Sequence, residues 1–558
     1  MTRPLHLHLH PWLGLACVCS APAVGQTLIR SFPTTAFPAQ TLTMSVDGCG
    51  DVDFDAVDDL ILGVTTPNGD GVVFVLSSRT GSVIHKFANP SVGLLGFKVC
   101  GLGEIDGDGR ADFGIVADGF GMALPSEVRI VSGGTGYDLY ESTANAGGSD
   151  LAPVGDVNAD AFSDVFVYSA GSTQLGQRAI RYGLSLNTGR VINDAGEVAG
   201  LGDLNGDHVS DYGVALVGPP GRVIVFSGAT GQLVRLLTDP GPGGGLFGWA
   251  LASAGDVNGD GVCDTLVGEP LFDGAAPDCG RVLVYSGLDG SLIRAHEGLL
   301  AGERLGERRR LDGAGDVDGD GFADYVFGRP DDGGGRGAAE VWSGRDGHLL
   351  FSIQGDTPSD AFGLAVSGAG DANYDQLGDV LVASLEGDRA AAYAIDRPGI
   401  AFCFGDGNGF ACPCGNDSLP GLNAGCINSR NAAGTLTATG STSVSGDTVR
   451  LFAAHLPGFS SVVFLQATVD LGTASKVFGD GLICLGGEFV RLGTRGVTQR
   501  GTSAIGYDLP NSLPISMRGA LPATGGSRYY QARYRNSAPY CAPETFNMTS
   551  AIRLDWTP

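Results

Sequence analysis

The stretch 255-GDVNGDGVCDTLVGEP-270 decides the fold class of this chain. Asp256, Asn258, Asp260 and Asp264 place three carboxylates and one amide at positions 1, 3, 5 and 9 of a nine-residue loop. Like charges at this spacing repel one another unless a cation or hydrogen-bond donors offset them. The apolar run 265-TLVG-268 that follows is typical of a short buried strand. The stretch therefore joins a candidate cation-binding loop to the start of a strand.

The same acidic loop occurs seven times, at nearly regular intervals. Successive loops begin 53, 52, 47, 53, 60 and 55 residues apart. We predict that the oxygen-bearing side chains at positions 1, 3, 5 and 9 of each loop bind metal. These residues are Asp51, Asp53, Asp55 and Asp59 in loop 1, Glu104, Asp106, Asp108 and Asp112 in loop 2, Asp156, Asn158, Asp160 and Asp164 in loop 3, Asp203, Asn205, Asp207 and Asp211 in loop 4, Asp256, Asn258, Asp260 and Asp264 in loop 5, Asp316, Asp318, Asp320 and Asp324 in loop 6, and Asp371, Asn373, Asp375 and Asp379 in loop 7.

The segments around each loop also repeat. An apolar run that ends in Gly precedes the loop, as in 247-FGWALASAG-255. A strand-like run follows it, and next comes a segment with a glycine turn, as in 281-RVLVYSGLDGSLIR-294. One unit therefore contains four short antiparallel strands, with the acidic loop between the first and the second. A repeated four-stranded unit of this length is typical of a β-propeller blade.

The Phe-Gly start, the glycine-rich end and the D-x-[DN]-x-D-G-x-x-D loop resemble FG-GAP repeats. The resemblance covers roughly residues 27 to 398. It implies the seven-bladed propeller found in the head domains of integrin alpha chains and in many exported bacterial proteins. We therefore expect an all-β fold, with a signal peptide at 1–25, a propeller at 26–398 and a small cysteine-rich, β-sandwich-like domain at 399–558.

The last repeat lacks a fourth strand, and the N-terminal segment supplies a candidate. The segment 25-GQTLIRSF-32 matches 231-GQLVRLL-237, which is the fourth strand of another unit. We predict that residues 27–32 pair with the last blade. This pairing would close the ring and remove its open sheet edges.

The loop pattern suits Ca²⁺, which prefers six to eight oxygen ligands. A backbone carbonyl at position 7 can add a ligand, and Gly at position 6 permits a sharp turn. The glycine-bearing loops 2, 5 and 6 are the strongest candidates, whereas loops 1, 3, 4 and 7 are expected to bind more weakly. We expect several structural calcium ions. The alternative is that backbone N–H groups satisfy some loops, which then bind nothing. The residues at position 6 are Ala56, Gly109, Ala161, His208, Gly261, Gly321 and Gln376.

Net charge and the N-terminal segment limit the partners and the location. A net charge of −27 argues against nucleic acid and against anionic membranes. Arg3, the apolar run 12–18 and the small residues 21–25 form a signal-peptide pattern. No later stretch is apolar for long enough to span a membrane. We expect an exported monomer, either secreted or at the cell surface.

The cysteine content favours disulfides over zinc. The chain has 12 cysteines, of which Cys17 and Cys19 lie in the signal segment. In an exported chain the remaining ten are expected to form disulfides, although 412-CPC-414 leaves zinc as an alternative. Two candidate pairs lie in the propeller, Cys263 with Cys279 and Cys49 with Cys100. Six more lie in the tail, at Cys403, Cys412, Cys414, Cys426, Cys484 and Cys541.

No G-x-S-x-G, H-E-x-x-H or P-loop motif is present in the sequence. The resemblance to adhesion receptors implies a calcium-binding propeller that binds an extracellular protein or glycan, and we predict that it is not an enzyme. The alternative is a secreted polysaccharide hydrolase or lyase, because propellers also carry glycosidases whose carboxylate pairs would be inconspicuous among so many acids. A purely architectural surface protein is the third hypothesis.

Overall fold

The computed structural model describes most of the chain beyond residue 25. The described residues are 26–33, 43–66, 70–89, 91–118, 124–144, 149–169, 178–192, 196–241, 243–355, 357, 360–374, 377–384, 389–395, 399–407, 411–419, 423–499, 501–507, 509, 513–536 and 545–558. The expected signal peptide at 1–25 lies outside them.

Seven antiparallel sheets of four strands form a β-propeller, as the repeat predicts. In each blade the second strand is buried along almost its whole length, because neighbouring blades cover both faces of the sheet. Blades 1 to 3 are β2 (Thr43–Gly50), β3 (Asp59–Thr65), β4 (Gly71–Leu76) and β5 (Val83–Ala88); β6 (Leu95–Gly103), β7 (Asp112–Ala117), β8 (Ser126–Val131) and β9 (Asp138–Ala144); and β10 (Ser149–Gly155), β11 (Asp164–Ser169), β12 (Ala179–Arg181) and β13 (Thr188–Val191). Blades 4 and 5 are β14 (Val198–Gly202), β15 (Asp211–Leu216), β16 (Arg222–Phe226) and β17 (Leu233–Thr238); and β18 (Ala250–Gly255), β19 (Asp264–Glu269), β20 (Arg281–Tyr285) and β21 (Leu292–Glu297). Blade 6 is β22 (Leu311–Gly315), β23 (Asp324–Arg329), the single turn α1 (Asp332–Gly335), β24 (Ala338–Trp342) and β25 (Leu349–Gln354).

The seventh blade combines the two ends of the array. Its sheet has the order β1-β28-β27-β26, where β1 is Gln26–Pro33, β26 is Ala365–Gly370, β27 is Asp379–Ala383 and β28 is Arg389–Ile395. The pairing of β1 with β28 is antiparallel, from Gln26 opposite Ile395 to Pro33 opposite Arg389. The predicted closure by the N-terminal strand is therefore confirmed. The innermost strands of blades 1 and 7 also contact each other, which completes the ring.

Glycines in five of the seven innermost strands let neighbouring strands approach one another closely near the acidic loops. A Cβ added to Gly101 would lie 2.3 Å from the carbonyl oxygen of Gly48 in the preceding blade. The same holds at Gly313, where the Cβ would lie 2.5 Å from Ser253 O, and at Gly368, where it would lie 2.5 Å from Gly313 O. These positions precede their loops by three residues, so the axial channel is narrow at the end that carries the loops.

The outer strands of blades 1, 3 and 5 each contact the next blade in a similar way. Arg294 in β21 donates a hydrogen bond to the carbonyl of Gly344, in the last hairpin of blade 6. Arg190 in β13 donates to Gly228 O at 3.3 Å, and a ring nitrogen of His85 in β5 lies 2.7 Å from a hairpin carbonyl in blade 2. Each long side chain packs over a hairpin glycine, so the contact depends on the absence of a side chain there.

The C-terminal region, from Ile400 onward, packs two main sheets against each other, in agreement with the predicted β-sandwich-like domain. Leu451 from the smaller sheet and Phe464 and Tyr530 from the larger sheet share one buried core. The larger sheet has the order β29-β38-β37-β32-β35 and the smaller one β30-β31-β36, with β29 (Ile400–Phe402), β30 (Thr435–Thr439), β31 (Arg450–Ala454), β32 (Ser461–Asp470), β33 (Lys476–Phe478), β34 (Gly481–Ile483), β35 (Leu485–Gly496), β36 (Ser503–Gly506), α2 (Ile515–Arg518), β37 (Gly526–Arg535) and β38 (Phe546–Trp556). β33 and β34 form a separate hairpin, and one-turn 3-10 helices span Pro413–Gly415 and Gly472–Ala474.

Two disulfides stabilise the start of this region, as the cysteine content predicts. They join Cys403 to Cys484 and Cys412 to Cys426. Cys541 and the side chain of Cys414 lie outside the described residues.

Both candidate disulfides in the propeller are wrong, because all four of those cysteines are thiols. Cys49 packs in the layer between blades 1 and 2, whereas Cys100 packs in the layer between blades 2 and 3. Cys263 and Cys279 lie beyond opposite ends of β19, which separates their side chains by the length of a strand.

No helix among the described residues is long and apolar enough to cross a membrane.

The glycine contacts around the axis predict the effect of a Gly101→Val substitution. The new side chain would clash with the backbone of Gly48, so we expect a loss of about 1–3 kcal/mol or more in the free energy of unfolding. Chemical denaturation measures this loss. Gly496→Val is the matched control, because no heavy atom lies within 4 Å of a Cβ at Gly496. Equal losses in the two variants would contradict the close packing around the axis.

Candidate metal centres

All seven loops lie on one face of the propeller, because each joins the first and second strands of its blade. In every loop the aspartate at position 9 is 0% exposed. In loop 5, Asp264 Oδ2 accepts the N–H of Val257 at 2.9 Å, and Oδ1 accepts the N–H of Gly287 at 2.9 Å. Gly287 belongs to the last hairpin of the same blade. The buried carboxylate therefore connects the loop to a hairpin on the outer side of the sheet.

The residue at position 1 shapes the loop by a second set of hydrogen bonds. Asp256 accepts the N–H of Asp260 at 3.1 Å and the N–H of Gly261 at 2.9 Å. Asp316 accepts the corresponding groups of Asp320 and Gly321 at 3.0 and 2.9 Å. Backbone N–H groups therefore offset part of the carboxylate repulsion.

Positions 4 and 6 of the loops adopt left-handed backbone angles wherever the structure describes them. Position 6 does so in six loops whether or not it is Gly: φ is 87° at Gly261, 72° at Ala161 and 65° at His208. Position 4, which the predicted ligand pattern did not single out, does so as well, with φ of 66° at Phe54. The signal was present as the glycines at position 4 of loops 2, 4, 5 and 6. A non-glycine residue here is strained by about 1–2 kcal/mol. Asp375 and Gln376 of loop 7 lie outside the described residues.

Among the described residues, three loops each bring three carboxylates together into one carboxylate group. In each group the ligand oxygens all lie within 4.8 Å of one another. Two oxygens that each lie about 2.4 Å from the same Ca²⁺ are at most about 4.8 Å apart, so the groups fit this ion. Loops 3, 4, 5 and 7 have Asn at position 3, which provides an amide oxygen instead of a charge. The three groups are Asp51, Asp53 and Asp59 of loop 1, Glu104, Asp106 and Asp108 of loop 2, and Asp316, Asp318 and Asp320 of loop 6.

Acidity at position 3, more than Gly at position 6, separates these three loops from the others. Loop 1 has Ala56 at position 6 and still forms a group, whereas loop 5 has Gly261 and Asn258 and does not. His208 in loop 4 is 97% exposed and lies 3.8 Å from Asp203.

The environment raises the pKa of many loop carboxyls. Burial, followed by the charge of Asp53, raises the pKa of Asp59 to about 8. Burial raises the pKa of Asp264 to about 6, and burial with the charges of Asp318 and Asp320 raises that of Asp316 to about 7. Asp203 is different: burial tends to raise its pKa, but hydrogen bonds from backbone N–H groups lower it overall. A bound cation would favour the ionised form in the first three cases.

The C-terminal region covers the loops of blades 6, 7 and 1. Arg450 of β31 lies 3.0 Å from Asp318 in loop 6. Tyr374 in loop 7 stacks on His455, with ring centroids 4.1 Å apart. In loop 1, Val57 packs with residues that include Ala424. Burial lowers the pKa of His455 to about 3, so the ring is neutral in this contact.

A cavity of about 720 Å³ lies on the propeller axis, lined by the innermost strands. Toward the face opposite the loops, Lys98 lies 2.7 Å from Asp150 and 3.5 Å from Glu197, and Arg308 lies 3.0 Å from Glu197. Burial alone would lower the pKa of Lys98, but Asp150 and Glu197 raise it above its ordinary value. Sequence reasoning missed this charged lining, because each member comes from a different blade.

Nearer the loops, the cavity holds two carboxyl groups that share one hydroxyl. Ser367 Oγ lies within hydrogen-bond distance of Asp47 and lies 2.8 Å from Asp312. A hydroxyl has one hydrogen to donate, so it can serve only one of the two carboxylates at a time. Burial, followed by the charge of Asp312, raises the pKa of Asp47 to about 7.

Comparison with known proteins finds similarity to integrin alpha chains. The chain is 28% identical over 312 residues to integrin alpha-5 of Xenopus laevis, which is 51% of this chain and 28% of that protein. It is 31% identical over 149 residues to integrin alpha-4 of Xenopus laevis, which is 26% of this chain and 14% of that protein. It is 36% identical over 124 residues to integrin alpha-3 of Mus musculus, which is 20% of this chain and 11% of that protein.

No family model matches the chain. The chain is nevertheless related to integrin alpha chains, and its repeats are of the FG-GAP type. It covers less than a third of the length of each of these relatives.

The carboxyl pair in the cavity predicts a pH dependence. Between about pH 4 and 7, the native state keeps a proton on Asp47 that the unfolded chain has lost, so stability falls as the pH rises through this range. We expect Asp47→Asn to reduce that fall in stability by about 1–2 kcal/mol. This is less than the full pKa shift of Asp47 would give, because the carboxyl also faces the cavity. Denaturation in chelator at a series of pH values measures it. The exposed Asp70→Asn is the control, and identical pH profiles for the two variants would contradict the assignment.

Proposed function

We propose that the chain is an exported, calcium-stabilised propeller that binds an extracellular protein or glycan, either secreted or at the cell surface. The observation that carries the proposal is the set of three carboxylate groups on one face of a propeller related to integrin alpha chains. The adhesion role implied by the FG-GAP resemblance supports the ligand-binding part. We also propose that the chain acts as a monomer and that it is not an enzyme.

The proposed calcium ions have a structural role. The residues at positions 1, 3 and 5 of loops 2 and 6, and at positions 1, 3 and 9 of loop 1, would hold them. A divalent ion bound there would offset the repulsion within each group. Because it would bind the folded chain more strongly than the unfolded one, it would stabilise each blade by mass action. The oxygen ligands at the remaining predicted positions are proposed as weaker sites, since each of those loops has an amide in place of one charge.

Loop 2 provides a test of calcium binding, because no described contact joins it to the C-terminal region. In the Asp106→Asn and Asp108→Asn double variant, the amide oxygens can still accept the N–H groups of Asp108 and Arg110, so the turn is preserved. We expect the variant to lose about 2 kcal/mol of stability relative to the wild type in calcium, and almost none in chelator.

Thermal unfolding in the two buffers measures this difference. The matched control is Asp138→Asn in the same blade, outside the loop, where we expect similar effects in both buffers. Equal losses for the loop 2 variant in calcium and chelator would contradict calcium binding at this loop.

The ligand-binding proposal is tested by presenting the purified full chain to a glycan array, an extracellular protein panel and a series of polysaccharide substrates. We expect saturable binding without product release, and we expect chelator to weaken it as the propeller loosens. Product release from a polysaccharide would instead support the hydrolase or lyase alternative. The absence of both binding and turnover would contradict ligand binding and favour an architectural role.

A further inference from the structure

The carboxylate group of loop 6 lies under the C-terminal region. In loop 6, Gly319 lies against Phe452 of β31, because a Cβ added to Gly319 would be 3.2 Å from the phenylalanine ring. Phe452 packs in turn with Leu377 of blade 7 and Ala454. Loop 6 is therefore part of an interface with the C-terminal region, whereas the contacts described for loop 2 are with its own blade and with blades 1 and 3.

A guanidinium group from this interface is bound to a predicted metal ligand. Arg450 Nη1 lies 3.0 Å from Asp318 Oδ2, and both side chains are about 10% exposed. The other oxygen, Asp318 Oδ1, accepts the N–H of Asp320 at 3.0 Å. Arg450 Nε also donates to Tyr507 O at 3.1 Å, which anchors the arginine within the C-terminal region. Both oxygens of Asp318 are therefore engaged, one of them by a cation from outside the propeller.

A second arginine approaches loop 6 more weakly and from the propeller itself. Arg345 Nη1, in the last hairpin of blade 6, lies 3.9 Å from Asp320 Oδ2, and its side chain is 32% exposed. Arg345 and Arg450 thus differ in distance, in exposure and in the part of the chain that carries them. Because of these differences, Arg345 can serve as the control for substitutions of Arg450.

We propose that Arg450 competes with the cation of loop 6, so that cation binding and docking of the C-terminal region oppose each other. The proposal rests on the calcium binding proposed above. A calcium ion that takes Asp318 Oδ2 as a ligand weakens the ion pair with Arg450, and the positive charges of the ion and the guanidinium repel each other. By linkage, the docked arginine lowers the affinity of loop 6 for calcium by the same factor. Among the described residues no arginine or lysine forms an ion pair with a loop 2 carboxylate, so in this proposal loop 2 binds calcium independently of the C-terminal region.

Calcium binding to the full-length Arg450→Gln variant tests the competition. We expect the apparent affinity of loop 6 for calcium to rise about tenfold, which lies within the usual range of coupling between two sites. Isothermal titration measures it, and the Asp320→Asn variant identifies the loop 6 step by removing one of its ligands. The matched control is Arg345→Gln, for which we expect a smaller increase because the arginine is farther away and more exposed.

The accessibility of the interface provides the second measurement. Ala504 packs partly against the cluster of Leu377, Phe452 and Ala454. We expect the thiol of an Ala504→Cys variant to react with maleimide several-fold faster in calcium than in chelator, after subtraction of the parent chain's own thiols. With Arg450→Gln added, this difference between the two buffers should disappear, whereas Arg345→Gln should leave it in place.

An unchanged or weaker loop 6 affinity in Arg450→Gln would overturn the competition. So would equal labelling of Ala504→Cys in calcium and chelator. These failures are distinguishable from failure of the proposed function, because loop 2 would still bind calcium and respond to Asp106→Asn and Asp108→Asn. Absence of calcium binding at both loops would overturn both proposals.

Discussion

The buried aspartate at position 9 of each loop is the interaction on which the blades depend. Asp324 is inaccessible to solvent, yet its carboxylate accepts the N–H of Val317 in the loop and the N–H of Gly344 in the outer hairpin. Each of these N–H groups would cost about 1–3 kcal/mol if it were buried without an acceptor. The carboxylate therefore connects the innermost and outermost parts of the sheet. This role explains why position 9 is Asp in all seven loops, while positions 3 and 6 vary.

The acidic loops therefore combine two functions within the same nine residues. The carboxylates at positions 1 and 9 hold the backbone in a tight turn. They do so by accepting hydrogen bonds from backbone N–H groups, which requires no cation. Position 3 determines the surplus charge: Asp53, Asp106 and Asp318 complete the three carboxylate groups, whereas the other loops have Asn. The turn can thus persist in every blade while the demand for a cation differs from blade to blade.

Features that repeat along the chain were predictable from the sequence, and features that depend on one particular contact were not. The seven blades, their loops and the closure by β1 follow from local patterns that occur several times. The thiols at Cys49 and Cys100 show the limit, because spacing along the chain does not reveal that the two side chains enter different layers. The contact of Arg450 with Asp318 joins residues 132 positions apart, and no repeated sequence pattern predicts it. The left-handed backbone at Phe54 was missed because only some loops have Gly at that position.

The antiparallel pairing of β1 with β28, which closes the ring, determines how the propeller responds to force. Gln26 lies opposite Ile395, so the first residue of β1 and the last residue of β28 are neighbours at one end of the ladder. Tension that pulls the N-terminal segment away from the C-terminal region acts first on this pair and then on each following pair in turn, as when a zipper is opened. Backbone hydrogen bonds loaded one after another resist less than bonds loaded together in shear. The seventh blade is therefore the mechanical weak point of the propeller, and it would open before any of the other six.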